Sequence, residues 1–179
     1  SAYRLQLCDV PNLLVQKWPA PQFQITTCLH LEDLLPGDVA GMVSLGGCYT
    51  ALCVVKKGGK LYLQQRTGNW TQDDEVREEL SAAGIWKELR AADDGDVLED
   101  RKALPGEVLY IRMRVHDALD ITFEVGTRED ALYPAGRSTQ ATPGRWVGVK
   151  AGLFAIQEGG GEGGSLRAEY FVFEPIASA

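Results

Sequence analysis

The chain has 179 residues, 45% of them hydrophobic, so one domain can bury a sizeable core without metals or disulfides to hold it together. Its 18 Lys and Arg residues are scattered among 25 Asp and Glu residues, which excludes the basic stripe that nucleic-acid binding requires. No apolar run approaches the roughly 20 residues of a membrane span, and no leader-like segment opens the chain. We therefore expect one domain over residues 1–179, without nucleic-acid or membrane partners.

Short runs with a period of two predict β-strands along most of the chain. The alternation is clear in residues 23–31 and clearest in residues 107–116, where apolar and polar side chains take turns. Glycines in the segment 56–60 supply the positive φ angles of a tight hairpin. In chain order, the predicted strands cover residues 3–7, 13–17, 23–31, 39–45, 49–55, 61–66, 107–116, 119–125, 146–156 and 167–173. The pattern predicts an all-β fold, a two-sheet antiparallel β-sandwich.

Two segments interrupt this pattern. Residues 73–101 mix charges with isolated hydrophobic residues, and either a helical turn or an excursion with its own short strand fits them. Residues 158–164 are almost all glycine, which is typical of a surface loop, and we expect this loop to join the last two strands.

The four cysteines lie in strand-like runs, where a small buried hydrophobic residue is the common role. Their spacing is unlike that of zinc sites with paired ligands, and only His30 and His116 could join them. The even number leaves disulfides open. We expect free thiols and no metal or cofactor; the cysteines are Cys8, Cys28, Cys48 and Cys53.

Catalytic motifs are missing from the sequence. Glycoside hydrolysis normally needs two carboxyl groups roughly 5 to 10 Å apart, but no strand carries a Glu-x-Asp-x-x-Glu run. There is no Gly-x-Ser-x-Gly elbow, and the glycine-rich segment lacks the Lys and Ser or Thr of a phosphate loop. We therefore expect no catalytic residues in this chain.

A neutral sugar is held by aromatic rings that cover its apolar face and by planar polar groups that bond its hydroxyls. If the apolar side of each strand faces the core, one sheet presents such groups on its other side, with His30 added from another strand. An ordinary solvated sheet would show the same residues. The candidate carbohydrate-binding residues are Tyr62, Gln64, Arg66, Tyr110, Arg112, Arg114 and His30.

The four tryptophans serve either as core anchors or as contact surfaces. Trp18 and Trp146 lie in strand-like contexts, which favour burial. Trp70 and Trp86 fall in or beside the irregular central segment, where a role at a domain interface or ligand rim is conceivable. The candidates for a domain interface are Trp70, Trp86, Trp146 and Lys150.

Six sequence motifs follow one another along the chain. The first, at residues 11–23, is Pro-Asn-Leu-Leu-Val-Gln-Lys-Trp-Pro-Ala-Pro-Gln-Phe, and the last, at residues 144–155, is Gly-Arg-Trp-Val-Gly-Val-Lys-Ala-Gly-Leu-Phe-Ala. Between them lie Thr-Thr-Cys-Leu at 26–29, Ala-Gly-Met-Val at 40–43, Tyr-Thr-Ala-Leu at 49–52 and Val-Leu-Tyr-Ile-Arg at 108–112. In this order the motifs resemble the C-terminal domain of glycoside hydrolase family 43 enzymes, which opens on Asn-Leu-Leu-Leu-Gln-Lys-Phe-Pro-Ala-x-x-Phe and later carries Gly-x-Trp-x-Gly-Ala-Lys-Val-Gly-Leu-Phe-Ala.

This resemblance implies a concanavalin A-like jelly roll that follows a catalytic five-bladed β-propeller in the parent protein. The propeller, with its catalytic Asp, Asp and Glu, is not part of this sequence. The implied function is that of a non-catalytic accessory domain in a hemicellulose-degrading enzyme of the β-xylosidase or α-arabinofuranosidase type. The alternative is an autonomous module that binds xylan or arabinoxylan oligosaccharides. The family also makes an extracellular location plausible.

Two segments depart from the family pattern. Its Ala-Asp-Phe-Asp-Tyr-Phe ending is here Leu-Arg-Ala-Glu-Tyr-Phe at 166–171, so Arg167 replaces one acid and Glu169 lengthens another. A network that relies on those acids is not expected, and this segment predicts no metal site of the family type. The Ser-Tyr-Ser-x-Asp-Gly hairpin is also altered, at residues 124–130.

Overall fold

The computed structural model describes residues 12–70, 76–80, 87–88, 108–143, 148–158 and 160–176. One 3-10 turn, Asp117–Leu119, accompanies the strands. The described part contains no helix long and apolar enough to cross a membrane. The strands are β1 (Leu13–Lys17), β2 (Phe23–His30), β3 (Asp38–Leu45), β4 (Cys48–Lys57), β5 (Lys60–Trp70), β6 (Val76–Leu80), β7 (Lys87–Glu88), β8 (Val108–Val115), β9 (Asp120–Gly126), β10 (Tyr133–Gln140), β11 (Lys150–Gln157) and β12 (Arg167–Pro175).

The strands form two antiparallel sheets, which confirms the predicted β-sandwich. The seven-stranded sheet has the order β1-β11-β3-β4-β5-β6, with β7 also paired to β5. The five-stranded sheet has the order β10-β9-β8-β2-β12. Within the seven-stranded sheet, β4 and β5 are joined by the glycine hairpin, where Lys57 pairs with Lys60.

Alternating side chains build the core between the sheets. Strand β8 alternates strictly, with Leu109, Ile111 and Met113 fully buried and the intervening residues half exposed. They pack against inward residues of the other sheet such as Met42 and Leu52. Because burial of apolar surface contributes roughly 25 cal/mol per Å², this layer supplies the main stabilising free energy of the fold.

The outer face of the seven-stranded sheet holds a second buried apolar cluster. On β3, Val39 and Val43 belong to this cluster, whereas Ala40 and Met42 between them belong to the core. Phe154 of β11 is almost fully buried in the same cluster. Strands buried on both faces lose strict alternation, which explains why β3 and β4 read as nearly continuous hydrophobic runs.

The strand predictions differ from the structure in three places. Strand β10 was not predicted, because Pro134 and Gly136 lie within it and both residues are typical of turns. In the strand predicted at 146–156, residues 148 and 149 are not part of a strand and β11 begins at Lys150, whereas residues 146 and 147 lie outside the described residues. Within residues 73–101, β6 and β7 form short strands, as expected for an excursion from the sheet that carries its own strand. The strand predicted at residues 3–7 lies outside the described residues.

Gln65 of β5 connects the two sheets. Its side-chain amide donates to the carbonyl of Arg137 on β10 at 2.8 Å and accepts from the Arg137 backbone N–H at 2.9 Å. Trp18 is half-buried, as favoured by its context, and packs edge-on against Phe23 with ring centroids 5.3 Å apart. These contacts fix the distance between the sheets at two positions.

Candidate functional site: two outer faces and two clefts

The outer face of the five-stranded sheet brings Cys28, His30 and Glu169 together. Cys28 and His30 are two residues apart on β2, so both point away from the core. The β2–β12 ladder pairs Ala168 with Leu29 and Tyr170 with Cys28, which leaves Glu169 as an extra residue in a β-bulge. A bulge redirects side chains, and here it turns the Glu169 carboxylate toward the two β2 side chains.

The three side chains are in direct contact. The Cys28 thiol donates to Glu169 Oε2 at 3.3 Å, and His30 Nε2 lies 3.4 Å from the same oxygen. Arg167 donates to His30 Nδ1 at 3.0 Å and to Glu32 Oε1 at 3.2 Å. We call Cys28, His30 and Glu169 the β2–β12 triad. Their proximity was not predicted from the sequence.

The environment of the triad changes its acidity. Burial raises the pKa of the Cys28 thiol from 9.0 to about 11, and the Glu169 carboxylate adds to this shift. Hydrogen bonds from Cys28 and His30 hold the pKa of Glu169 below its ordinary value. Burial also raises the pKa of the neighbouring Tyr110 and Tyr170 hydroxyls, with Glu129 contributing at Tyr170. At neutral pH the triad therefore holds a protonated thiol beside a carboxylate.

The arginines of β8 lie on the same outer face and are bound to protein groups. Arg112 donates to Thr26 Oγ1 at 3.0 Å. The Glu124 carboxylate lies 3.2 Å from Arg114 Nε and 3.8 Å from an Arg112 guanidinium nitrogen. Because Glu124 serves both guanidinium groups, it fixes them across the β8–β9 pair.

The outer face of the seven-stranded sheet holds Gln64 and Arg66 in a buried ion-pair network. Gln64 is 3% exposed and Arg66 is 5% exposed. Arg66 Nε donates to Gln64 Oε1 at 2.7 Å, while its two terminal nitrogens donate to the two oxygens of Glu158 at 2.5 and 3.0 Å. A bidentate guanidinium–carboxylate pair of this kind is geometrically specific. Tyr62 is half-buried on the same strand.

The predicted sugar-binding residues do not share one sheet, so that part of the prediction is wrong. Tyr62, Gln64 and Arg66 belong to the seven-stranded sheet, and the residues of β8 and β2 belong to the five-stranded sheet. Each set faces away from the core, because the intervening residues of both strands are core residues. The two sets therefore lie on opposite faces of the sandwich. Carbohydrate binding by either set stays a prediction.

A polar cleft of about 300 Å³ opens at one side of the sandwich, where β4 and β5 meet β10. Within the described part of the chain, the buried hydroxyls of Thr50 and Thr139 have no hydrogen-bond partner. The cleft was not predicted from the sequence, because β10 was not among the predicted strands. The polar side chains that line it include Ser44, Thr50, Thr67, Arg137, Ser138 and Thr139.

An apolar cleft of about 530 Å³ lies at the other open side, between β1, β11 and the start of β12. Leu14 lines it and is 76% exposed, although it belongs to the edge strand β1. Leu153, Leu166 and Ala168 also line the cleft. An exposed leucine beside an apolar cleft is typical of a surface that contacts another apolar surface.

The predicted interface residues are only partly described. Lys150 begins β11 and is half-buried, and it pairs across the ladder with Lys17 of β1. Trp70 ends β5. Trp86 and Trp146 lie outside the described residues, as does Cys8, whereas Cys28, Cys48 and Cys53 are free thiols.

Comparison with solved structures gives matches among GH43 proteins. The bifunctional GH43-CE protein of Bacteroides eggerthii matches with a TM-score of 0.72 and 17% identity, over 98% of this chain and 20% of its own. The GH43 BlXynB protein of Bacillus licheniformis matches with a TM-score of 0.67 and 14% identity, over 94% of this chain and 30% of its own. Xylan β-1,4-xylosidase of Bacillus halodurans C-125 matches with a TM-score of 0.64 and 16% identity, over 90% and 29%.

At these low identities the structural similarity shows the fold alone, and the chain spans between 20% and 30% of the length of these three proteins. No curated protein sequence matches the chain. The family model described as the β-xylosidase C-terminal concanavalin A-like domain matches residues 1–174. That match covers nearly all of the sequence. The chain therefore belongs to the β-xylosidase C-terminal concanavalin A-like domain family, which occurs as a C-terminal accessory domain of GH43 glycoside hydrolases.

Proposed function

We propose that this domain is non-catalytic and packs on the catalytic domain of a hemicellulose-degrading glycosidase in the same polypeptide, where it stabilises and shapes that domain. The observation that carries the proposal is the family match together with the share of the relatives that the chain covers. In the three solved relatives it matches at most 30% of the protein, which leaves ample length for a separate catalytic domain. One of these relatives is described as a xylan β-1,4-xylosidase.

The described carboxylates with low exposure are committed to structural contacts, which supports a non-catalytic role. Asp38 accepts hydrogen bonds from the backbone N–H groups of Leu35 and Gly164 and from the amide of Gln157. Glu158 is bound to a buried guanidinium group, and Glu124 forms ion pairs with the partly exposed guanidinium groups of Arg112 and Arg114. A general acid and a nucleophile or base must instead face a common substrate across a groove.

The apolar cleft is the surface we propose for contact with the catalytic domain. Leu14 adds an exposed apolar side chain to the cleft, and burial of a leucine side chain gains about 1.5–3 kcal/mol. Lys150 and Lys17 stand opposite each other on β11 and β1, and like charges in such a pair are destabilising. Neither lysine lines the apolar cleft, so a role of Lys150 at the interface stays a separate prediction.

The proposal is tested in the parent enzyme. Two forms, with and without this domain, are compared for hydrolysis of a nitrophenyl xyloside and for thermal unfolding. We expect the truncated form to lose most activity and to unfold at a lower temperature. Equal activity and equal unfolding temperature of both forms would contradict the proposal.

Two matched substitutions locate the contact. Leu14→Asp changes the edge strand β1 at the apolar cleft, and Val172→Asp changes the edge strand β12, where Val172 is 45% exposed. In the parent enzyme we expect Leu14→Asp to lower the unfolding temperature of the catalytic domain, while Val172→Asp leaves it unchanged. If the two variants behave alike, the contact lies elsewhere.

The alternative function is an autonomous carbohydrate-binding module for xylan or arabinoxylan oligosaccharides. The polar cleft favours it, since small-molecule sites start at about 300 Å³ and hydroxyl-bearing side chains, among them Ser138 and Thr139, line the cleft. Calorimetry with xylo- and arabinoxylo-oligosaccharides decides between the two functions. Heat that disappears in Thr139→Val supports the module, and no heat at millimolar ligand counts against it.

A further inference from the structure

We propose that the β2–β12 triad of Cys28, His30 and Glu169 binds a zinc ion, with water as the fourth ligand. This inference is independent of the proposed function. The three residues offer a thiol sulfur, an imidazole nitrogen and a carboxylate oxygen, which are the ligand types that zinc takes in proteins. All three ligand atoms lie within 4.8 Å of one another.

The distances fit a tetrahedral site. Zinc bonds to sulfur at about 2.3 Å and to nitrogen and oxygen at about 2.0–2.2 Å, so its ligand atoms stand about 3.3–3.6 Å apart. Glu169 Oε2 lies 3.3 Å from Cys28 Sγ and 3.4 Å from His30 Nε2. The oxygen–sulfur and oxygen–nitrogen distances therefore already suit a tetrahedral zinc site, and only the distance between the sulfur and the nitrogen has to change.

The fold holds the ligands in place. Cys28 and His30 lie on β2, an interior strand of the five-stranded sheet, and Cys28 is fully buried. Glu169 reaches them because the bulge in β12 directs it outward, and it is 61% exposed, which leaves a path from solvent. Rigid strands position two ligands, and the bulge supplies the third.

Arg167 opposes zinc binding in the present arrangement. A guanidinium group only donates, so its contact with His30 Nδ1 at 3.0 Å makes that nitrogen the acceptor. The neutral imidazole then carries its proton on Nε2, the nitrogen that must bind zinc. Arg167 is 67% exposed and can turn away. Glu32 Oε1 stands 3.8 Å from Nδ1, too far for a hydrogen bond, and can accept the Nδ1 proton and orient the ring once it moves closer.

The test uses the 179-residue chain, reduced and freed of metal, and Co²⁺ as a spectroscopic probe. We expect one Co²⁺ per chain, with a thiolate-to-cobalt charge-transfer band and visible bands of a tetrahedral site, both removed by one equivalent of Zn²⁺. Cys28→Ser should abolish the charge-transfer band, whereas Cys48→Ser, a change at another free thiol, should leave it intact. A band that survives Cys28→Ser, or the absence of any band, overturns the proposal.

Variants of the two less buried ligands, Glu169 and His30, decide the question even if Cys28→Ser does not fold. Glu169→Gln and His30→Gln should each weaken Zn²⁺ binding at least tenfold, and His116→Gln, which changes a histidine outside the triad, should not. Arg167→Thr should strengthen binding and Glu32→Gln should weaken it about tenfold. Unchanged affinity in both Glu169→Gln and His30→Gln overturns the proposal.

Discussion

The buried Cys28 thiol belongs to a cluster of ionisable groups with shifted pKa values. It lies beneath the outer face of the five-stranded sheet, with Glu169 in hydrogen-bond contact and the hydroxyls of Tyr110 and Tyr170 nearby. Each of these neutral acids has a raised pKa in the folded state, with burial as the main cause. Their shared environment makes the cluster sensitive to alkaline pH.

We predict that the free energy of unfolding falls as pH rises from about 9 to about 11. In this range the unfolded Cys28 thiol, with an ordinary pKa of 9.0, has lost its proton, while the folded thiol, with a pKa of about 11, keeps it. The folded state then binds more protons, so the slope of stability against pH is negative. Urea unfolding at several pH values should show a flatter profile for Cys28→Ser than for Cys48→Ser.

The Arg66–Glu158 pair gives a second prediction at this scale. Glu158→Leu removes the carboxylate that pairs with the buried Arg66 guanidinium group, and we expect a loss of about 3 kcal/mol in the free energy of unfolding. The double variant Arg66→Met with Glu158→Leu removes both charges and should be more stable than Glu158→Leu alone. Urea denaturation measures both, and a double variant less stable than the single one would contradict this account.

An exposed pair provides the control. Arg128 and Asp130 are in contact at 3.0 Å but both are largely solvent-exposed. Arg128→Met should therefore change the free energy of unfolding by less than about 1 kcal/mol. The expected changes in the free energy of unfolding differ between the two sites because one ion pair is buried and the other is exposed.

Strand β10 requires a glycine at one position within the strand. Gly136 has φ of +74°, and a Cβ there would stand 2.7 Å from Gln65 Oε1. Gln65 is the residue that connects β5 to β10. Because glycine has no side chain, the Gln65 amide has room to bond β10 and so to join the two sheets at this point.

Gly136→Ala should destabilise the fold more than Gly58→Ala. Gly58 has φ of +61° with open space around its Cβ position, so alanine there meets only the backbone cost of about 1 kcal/mol. Gly136→Ala meets that cost and also displaces the Gln65 amide. Thermal unfolding of the two variants separates the cost of the backbone conformation from the cost of displacing Gln65. Equal decreases in unfolding temperature would show that the Gln65 contact has no effect.

Elements with one clear period were predictable from sequence, and those with a local irregularity were not. Strand β8 alternates without exception, so its inward and outward sets agree with the prediction. On β12 a strict period of two places Glu169 on the same face as Phe171 and Phe173, which pack against the core. The bulge after Ala168 breaks that period, and bulges have no reliable sequence signal here. The triad was hidden for this reason.

At the scale of the whole molecule, the sequence predicted the sandwich and the family but not which strands share a sheet. Strands β5 and β8 both present Tyr and Arg residues on outward positions, and alternation alone cannot distinguish one outer face from the other. Sheet membership depends on long-range pairing, which no local pattern encodes. The two clefts were unpredictable for the same reason, because each is lined by strands of both sheets.

The position of β2 in its sheet has a consequence for how the chain acquires its structure. β2 lies between β8 and β12, and its contacts with them join residues such as Thr26 and Arg112, 86 positions apart, and His30 and Arg167, 137 positions apart. Closing such loops is entropically costly and slows folding, typically to the range of milliseconds to seconds for β-sandwiches. During synthesis both hydrogen-bonding edges of β2 stay open until these late strands leave the ribosome, so we expect β2 to be the segment most exposed to mispairing before then.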